Sequence, residues 1–150
     1  MTYIRNASPL GKSTVWMAIG MACLLCPYPL SAQEPKLRLT FRGHTEEVRC
    51  VAISPDGKIL ACGDGNTIRF WDVASGKLQA TLKKAAVYGV DSLAFSPDSR
   101  TLASGNGGNK IKLWDVGTHK LKTLLDKDSE YATPRVVFSP DGKTLASGGS

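Results

Sequence analysis

The chain has 150 residues, 42% of them hydrophobic and 21% charged, with a formal net charge of +6 at pH 7. That balance is ordinary for a globular domain and excludes a disordered or low-complexity chain. The positive charge is not gathered into a patch, since past residue 32 the only adjacent basic pair is Lys83-Lys84, which argues against a nucleic-acid-binding surface.

The first 32 residues read as a secretory signal. Arg5 and Lys12 come first, then an apolar run of 11 residues from Val15 to Leu25, and no acidic residue occurs before Glu34. Crossing a bilayer takes roughly 20 apolar residues, so this run is the short core of a signal helix rather than a span. Pro27 and Pro29 break that helix, and Leu30-Ser31-Ala32 offers small residues for cleavage. The expectation is a secreted or periplasmic protein that meets a membrane only through its export signal. An uncleaved anchor and lipidation at Cys23 are the alternatives.

Residues 33–42 hold a short alternating strand, Leu37-Arg38-Leu39-Thr40-Phe41. Residues 43–82 then predict four strands, Val48–Ser54, Ile59–Gly63, Thr67–Asp72 and Lys77–Leu82. Residues 83–125 repeat them as Val90–Ser96, Thr101–Ser104, Lys110–Asp115 and Lys120–Leu124. Residues 126–150 begin a third round with Arg135–Ser139 and Thr144–Ser147, and the round is incomplete.

Three markers keep the beat. Trp71-Asp72 and Trp114-Asp115 lie 43 residues apart. Ser54-Pro55-Asp56, Ser96-Pro97-Asp98 and Ser139-Pro140-Asp141 recur at intervals of 42 and 43. Each is followed by Leu60-Ala61-Cys62-Gly63, Leu102-Ala103-Ser104-Gly105 or Leu145-Ala146-Ser147-Gly148. That period is the length of a four-stranded propeller blade. The inner-strand cores Val51-Ala52-Ile53, Leu93-Ala94-Phe95 and Val136-Val137-Phe138 are apolar throughout, as expected when neighbouring blades cover both sheet faces.

The Ser-Pro-Asp turns have a mechanism: Pro presets φ, Asp bonds the local backbone, and Gly57 or Gly142 takes the left-handed conformation. Ser99 replaces that glycine in the second turn, which predicts strain or a different turn type. A three-residue loop would pair Ser54 with Lys58 and set Cys50 opposite Cys62. In an oxidising compartment that pair could form a cross-strand disulfide; two thiols buried as small hydrophobes are the alternative.

With these residues in view, residues 37–150 resemble the WD-repeat β-propeller family. The resemblance rests on two Trp-Asp pairs, three Ser-Pro-Asp turns and a Gly43-His44 pair 27 residues before Trp71. It implies an all-β fold, an incomplete β-propeller of four-stranded antiparallel blades behind the apolar signal helix. The strand at 33–42 would close the ring by joining the last blade.

The family also implies a hydrogen-bonded set in each blade: the Trp, a hydroxyl on the second strand, the His of the Gly-His pair and an Asp in the turn before the Trp strand. Here the set is incomplete. The first blade has His44, Trp71 and Asp72, with Cys62 at the hydroxyl position and Asp64 as an approximate match for the turn acid. The second has Ser104, Trp114 and Asp115, with Ala86 in place of His and Gly108 in place of Asp. Weak polar networks are therefore expected, with apolar packing between blades carrying the stability. A ring needs at least four blades of about 40 residues, so the chain is expected to be part of a longer propeller and, by itself, poorly soluble or oligomeric.

Chemistry is poorly provided for. The only histidines are His44 and His119, read as a blade hydrogen-bond partner and a solvated loop residue. They give no metal cluster and no nucleophile–base pair, and Gly105–Asn109 lacks the Lys and helix of a phosphate loop. No cofactor and no enzymatic activity are expected. Glu46, Tyr88 and Tyr131 share one repeat position in the loop leading to the innermost strand, a candidate contact rim. The resemblance implies a non-catalytic scaffold that binds other proteins or peptides. The competing reading is the propeller portion of an exported enzyme or ligand sensor whose working part lies beyond residue 150.

Overall fold

A computed structural model describes residues 2–6, 36–107, 110–126 and 135–149. Every element among them is a β-strand. The run 15–25, read as a signal helix, falls outside the described residues; Thr2–Asn6 within the same segment is a strand, β1. No helix among the described residues is long and apolar enough to cross a membrane.

The chain divides into two compact units. The smaller, Tyr3–Thr40, is built on a two-stranded sheet of β1 with β2 (Lys36–Phe41). The strand predicted at 37–41 therefore forms, and its partner is Thr2–Asn6.

The larger unit, from Phe41 onward, contains the repeats. Its first sheet runs in the order β3 (Val48–Ile53), β4 (Ile59–Asp64), β5 (Thr67–Asp72), β6 (Leu78–Leu82). Its second repeats that order with β7 (Val90–Phe95), β8 (Thr101–Asn106), β9 (Lys110–Asp115) and β10 (Lys120–Asp126). The described part of the third is a hairpin of β11 (Arg135–Phe138) and β12 (Leu145–Gly148). All pairings within these sheets are antiparallel.

The Ser-Pro-Asp turns are alike in all three blades. The amide of Gly57, Ser99 or Gly142 donates to the carbonyl of Ser54, Ser96 or Ser139 at 2.8–2.9 Å. Ser54 Oγ donates to Asp56 Oδ1 at 2.6 Å and accepts from the Ile59 amide at 2.9 Å. These hydroxyls hold Asp56, Asp98 and Asp141 below the ordinary carboxylate range. Ser99 takes φ +61°, beside +72° at Gly57 and +70° at Gly142. The second turn is thus the same type, held at the cost of a left-handed serine.

The turn corrects the cysteine register. Ser54 pairs with Ile59 rather than Lys58, so the loop has one residue more than expected, and a bulge falls between Val48 and Cys50. Cys50 lies opposite Gly63 and Cys62 opposite Val51. Both thiols are unbridged. Burial, foremost, pushes the Cys50 thiol up to about 12, which keeps it protonated and inert.

Packing between sheets is by the inner strands. Cys50 and Ala52 of blade one join Leu93 and Phe95 of blade two in a core with Ala61, Ile68, Phe70, Leu102 and Trp114. Val136 and Phe138 of blade three pack on Ala94, Ala103, Ile111 and Leu113 of blade two. The expectation that both faces of every inner strand are covered holds only for blade two. Val51, Ile53 and Val137 are 52%, 48% and 59% exposed, because blades one and three each have one neighbour among the described residues.

Candidate functional site

The polar set of the blades is present but divided. In blade one Asp64 is 1% exposed and is the hub. Its Oδ2 accepts from Arg69 Nε at 2.8 Å and from the Thr45 amide at 3.3 Å, and lies 3.2 Å from His44 Nδ1. The Thr67 hydroxyl donates to Oδ1, and Arg69 Nη2 reaches Thr45 Oγ1 at 3.0 Å. Burial opposes ionisation of Asp64, yet Thr67, Arg69 and His44 together hold its carboxyl below the ordinary range. The expected weakness of this network is corrected at blade one, since Asp64 is a full member. Its indole is the loser. Trp71 is buried between Phe41 and His44, at ring-centroid distances of 5.6 and 5.5 Å, and its Nε1 has no partner. Cys62 stands where an acceptor hydroxyl would be.

Blade two has the complementary half. Trp114 Nε1 donates to Ser104 Oγ at 2.8 Å. The residue equivalent to Asp64 is Asn106, not Gly108: Val48 faces Asp64, and Val90 faces Asn106 in the same register. Asn106 is 3% exposed and its Oδ1 is unpartnered, because Ala86 supplies nothing where His44 stands in blade one. Lys112, the counterpart of Arg69, turns to the Ala85 carbonyl at 2.8 Å and lies 5.8 Å from the Trp114 ring centre. Burial first, then Lys110, lowers its pKa.

Asp72 and Asp115 cap the turns that follow the tryptophans. Asp72 Oδ1 accepts from the Ser75 amide and hydroxyl at 2.7 and 2.6 Å, and Asp115 Oδ1 accepts from both groups of Thr118 at 2.8 Å. The donors hold both carboxyls below the ordinary range. These acids are occupied by turns and offer no free base. His119 is not a solvated loop residue. It takes φ +56°, its ring packs on Phe70 of blade one at 5.0 Å, and its Nε2 is buried without a partner.

The rim is built from one repeated geometry. The Glu46 carboxylate lies directly over Gly65, and Tyr88 Cβ lies over Gly107, so that a side chain at either glycine would collide with it. Both therefore sit on the tip of the second hairpin of their own blade. Tyr88 is 71% exposed and Val87 is 70% exposed. Tyr131 falls outside the described residues. Beside the rim, β-bulges at the equivalent residues Arg49 and Asp91 turn their side chains toward each other, with Nη1 and Oδ1 3.3 Å apart. A bulge is a common way to re-aim a side chain at a functional edge.

Sequence reading missed Arg69, Thr45, Thr67 and Asn106. A signal for two was present: Arg69 and Lys112 each lie two residues before a repeat Trp, and Asp64-Gly65 aligns with Asn106-Gly107. Among the described residues no group of three or more His, Cys, Asp or Glu could hold a metal.

Comparison with known proteins places this geometry. The WD domain, G-beta repeat family matches residues 35–72 and 76–115. The ribosome biogenesis protein BOP1 of Rattus norvegicus is 39% identical over 61 residues, covering 40% of this chain and 8% of that protein. The small ribosomal subunit protein RACK1y of Oryza sativa subsp. japonica is 43% identical over 65 residues, covering 42% and 18%. Human apoptotic protease-activating factor 1 is 46% identical over 74 residues, covering 44% and 6%. The chain thus spans less than a fifth of the length of these relatives. Among solved structures, the RRP9 WD40 repeats superpose with a TM-score of 0.66 at 22% identity, over 71% of this chain and 34% of that one. U3-55K gives 0.67 at 21% identity over the same shares.

These relatives correct one expectation. A secreted or periplasmic location was predicted from residues 1–32, but relatives named for ribosome biogenesis and for the small ribosomal subunit belong to intracellular machinery. Repeat period, blade topology, the split Trp–Ser and His–Asp sets and the matched segments agree. The chain belongs to the WD domain, G-beta repeat family of β-propeller proteins.

Proposed function

We propose that this protein is a non-catalytic scaffold that captures other proteins or peptides on the rim formed by the loops leading to its innermost strands. The observation that carries the reading is the pair Val87-Tyr88, about 70% exposed on a loop whose base is fixed. The Ala85 amide donates to the Asn66 carbonyl and the Val90 amide to the Gly65 carbonyl, at 2.8 and 2.9 Å. An aromatic ring presented by a rigid base loses little entropy on binding, which is why such residues dominate interface energetics. Glu46 and Tyr131 hold the same repeat position and would extend the rim around the ring.

The blades act within a ring that holds more blades than those described. Solved relatives three times as long as the aligned part support this reading. A peptide-display selection against the full chain tests the rim. Selected peptides should lose at least tenfold in affinity to Tyr88→Ala, with Glu46→Ala and Tyr131→Ala weakening subsets of them. If selected peptides bind the Tyr88→Ala and Tyr131→Ala variants as well as the wild type, the rim reading is wrong.

A further inference from the structure

At the rim the two described loops carry different chemistry at one repeat position. Glu46 and Tyr88 each sit on the second hairpin of their own blade, over Gly65 and Gly107. Gly65 links the two positions, because it also meets the next loop. Its carbonyl accepts from the Val90 amide at 2.9 Å, and a Cβ at Gly89 would lie 3.7 Å from the same oxygen. The Glu46 carboxylate and the Val87-Tyr88 pair therefore belong to one continuous surface, one blade apart.

Charge on that surface is one-sided. Arg49 lies between Asp91, at 3.3 Å, and Glu47, at 3.8 Å, so its one positive charge is already shared by two carboxylates. Glu46 is exposed, and no cation among the described residues pairs with it. Lys112, the cation nearest the Tyr88 loop, is drawn to the Ala85 carbonyl at 2.8 Å. A blade set before blade one would not change this. In the junction that is present, the earlier blade's hairpin meets Gly89, the counterpart of Glu47. A preceding blade would meet Glu47 in the same way and leave Glu46 open.

We propose that the partner captured at this rim is an extended peptide segment that sets a basic side chain, arginine or lysine, on Glu46 and an apolar or aromatic side chain on Val87-Tyr88. The inference rests on the rim reading and names the chemistry of its partner. Stacked sheets lie about 10 Å apart, and an extended chain covers that distance in about three residues. The basic and the apolar residue of the partner therefore stand about three positions apart. Because the carboxylate is exposed, its attraction acts mainly on encounter rate and on the choice of partner. The tyrosine and valine, with the apolar residue they receive, carry most of the affinity.

The probes are fluorescent peptides taken from the display selection against the full chain, each made also with its basic residue replaced by alanine. Selected sequences that depend on Tyr88 should carry arginine or lysine about three positions from a large apolar residue. Glu46→Gln should weaken the basic form about threefold, the scale of an exposed ion pair, and leave the alanine form unchanged. Glu46→Lys should weaken the basic form about tenfold, since it replaces attraction by repulsion. Glu46 is exposed, so near-ultraviolet circular dichroism of both variants should match the wild type. Peptides that depend on Tyr88 but lack a basic residue, that carry an acidic one in its place, or that lose as much on basic-to-alanine replacement with Glu46→Gln as with the wild type overturn this inference and leave the rim reading standing. Peptides indifferent to Tyr88→Ala and Tyr131→Ala, or a selection that yields no binding peptide, overturn both.

Discussion

Replacing Cys62 by Ser should stabilise the protein, although Cys62 is fully buried. In blade two the indole of Trp114 donates to Ser104 at 2.8 Å; in blade one the Trp71 indole nitrogen has no acceptor. The scaffold at the two sites is the same, since Leu60 faces Trp71 and Leu102 faces Trp114, with the cysteine or serine two residues further along. A buried N–H left without a partner costs roughly 1–3 kcal/mol. The new hydroxyl must itself be desolvated, which offsets part of that gain, so the net expectation is about 1 kcal/mol in favour of serine. For a domain of this size that is a rise of about 4 °C in Tm. The reverse change, Ser104→Cys, should cost about 1–2 kcal/mol by orphaning Trp114. Urea unfolding followed by tryptophan fluorescence gives both values, and the indole proton of Trp71 should shift downfield in the Cys62→Ser spectrum. If Cys62→Ser destabilises the chain, or Ser104→Cys is neutral, the division of the polar set between blades does not have the energetic meaning assigned to it.

Asp64→Asn should be among the costliest polar substitutions, at about 3–5 kcal/mol, because it leaves Arg69 buried without its counter-charge; chemical denaturation reads it directly. Ser99→Gly should relieve the left-handed φ while giving up the bond from the Asp56 amide to Ser99 Oγ, 3.2 Å long. Ser99→Ala gives up the bond and keeps the strain, so glycine should exceed alanine by about 1 kcal/mol in thermal melts. Acid should unfold the protein. Six turn and hub carboxyls have folded pKa values below their ordinary 3.8. Their contribution is complete above that value and is lost as pH falls through the lower folded values. Stability from denaturant melts should be flat in this contribution above about pH 5 and fall steeply below pH 4.

Much of the fold was legible because the repeat states it three times. Strands, turn positions and blade order follow from the Trp-Asp, Ser-Pro-Asp and Leu-Ala markers, and the structure differs from them by a residue or two. What was not legible depended on counting across irregular segments. One extra loop residue moved Cys50 from Cys62 to Gly63 and removed the disulfide geometry. One extra residue in the second hairpin of blade two hid Asn106 as the counterpart of Asp64. His119 was misread because its partner, Phe70, lies in another blade, and no local pattern announces a contact between blades. The location drawn from residues 1–32 rested on the order of basic, apolar and small residues there, and relatives named for ribosomal work overturned it.

The account depends on the sheets stacking face to face with the repeat's own offset. Proton–proton nuclear Overhauser contacts between the His119 and Phe70 rings, whose centroids are 5.0 Å apart, test that stacking most directly. Strong cross-peaks between these rings, alongside those within the Leu60–Trp71 rung, are the predicted result. A spectrum that keeps the rung contacts but lacks every contact between His119 and Phe70 would mean that the blades form without stacking as described.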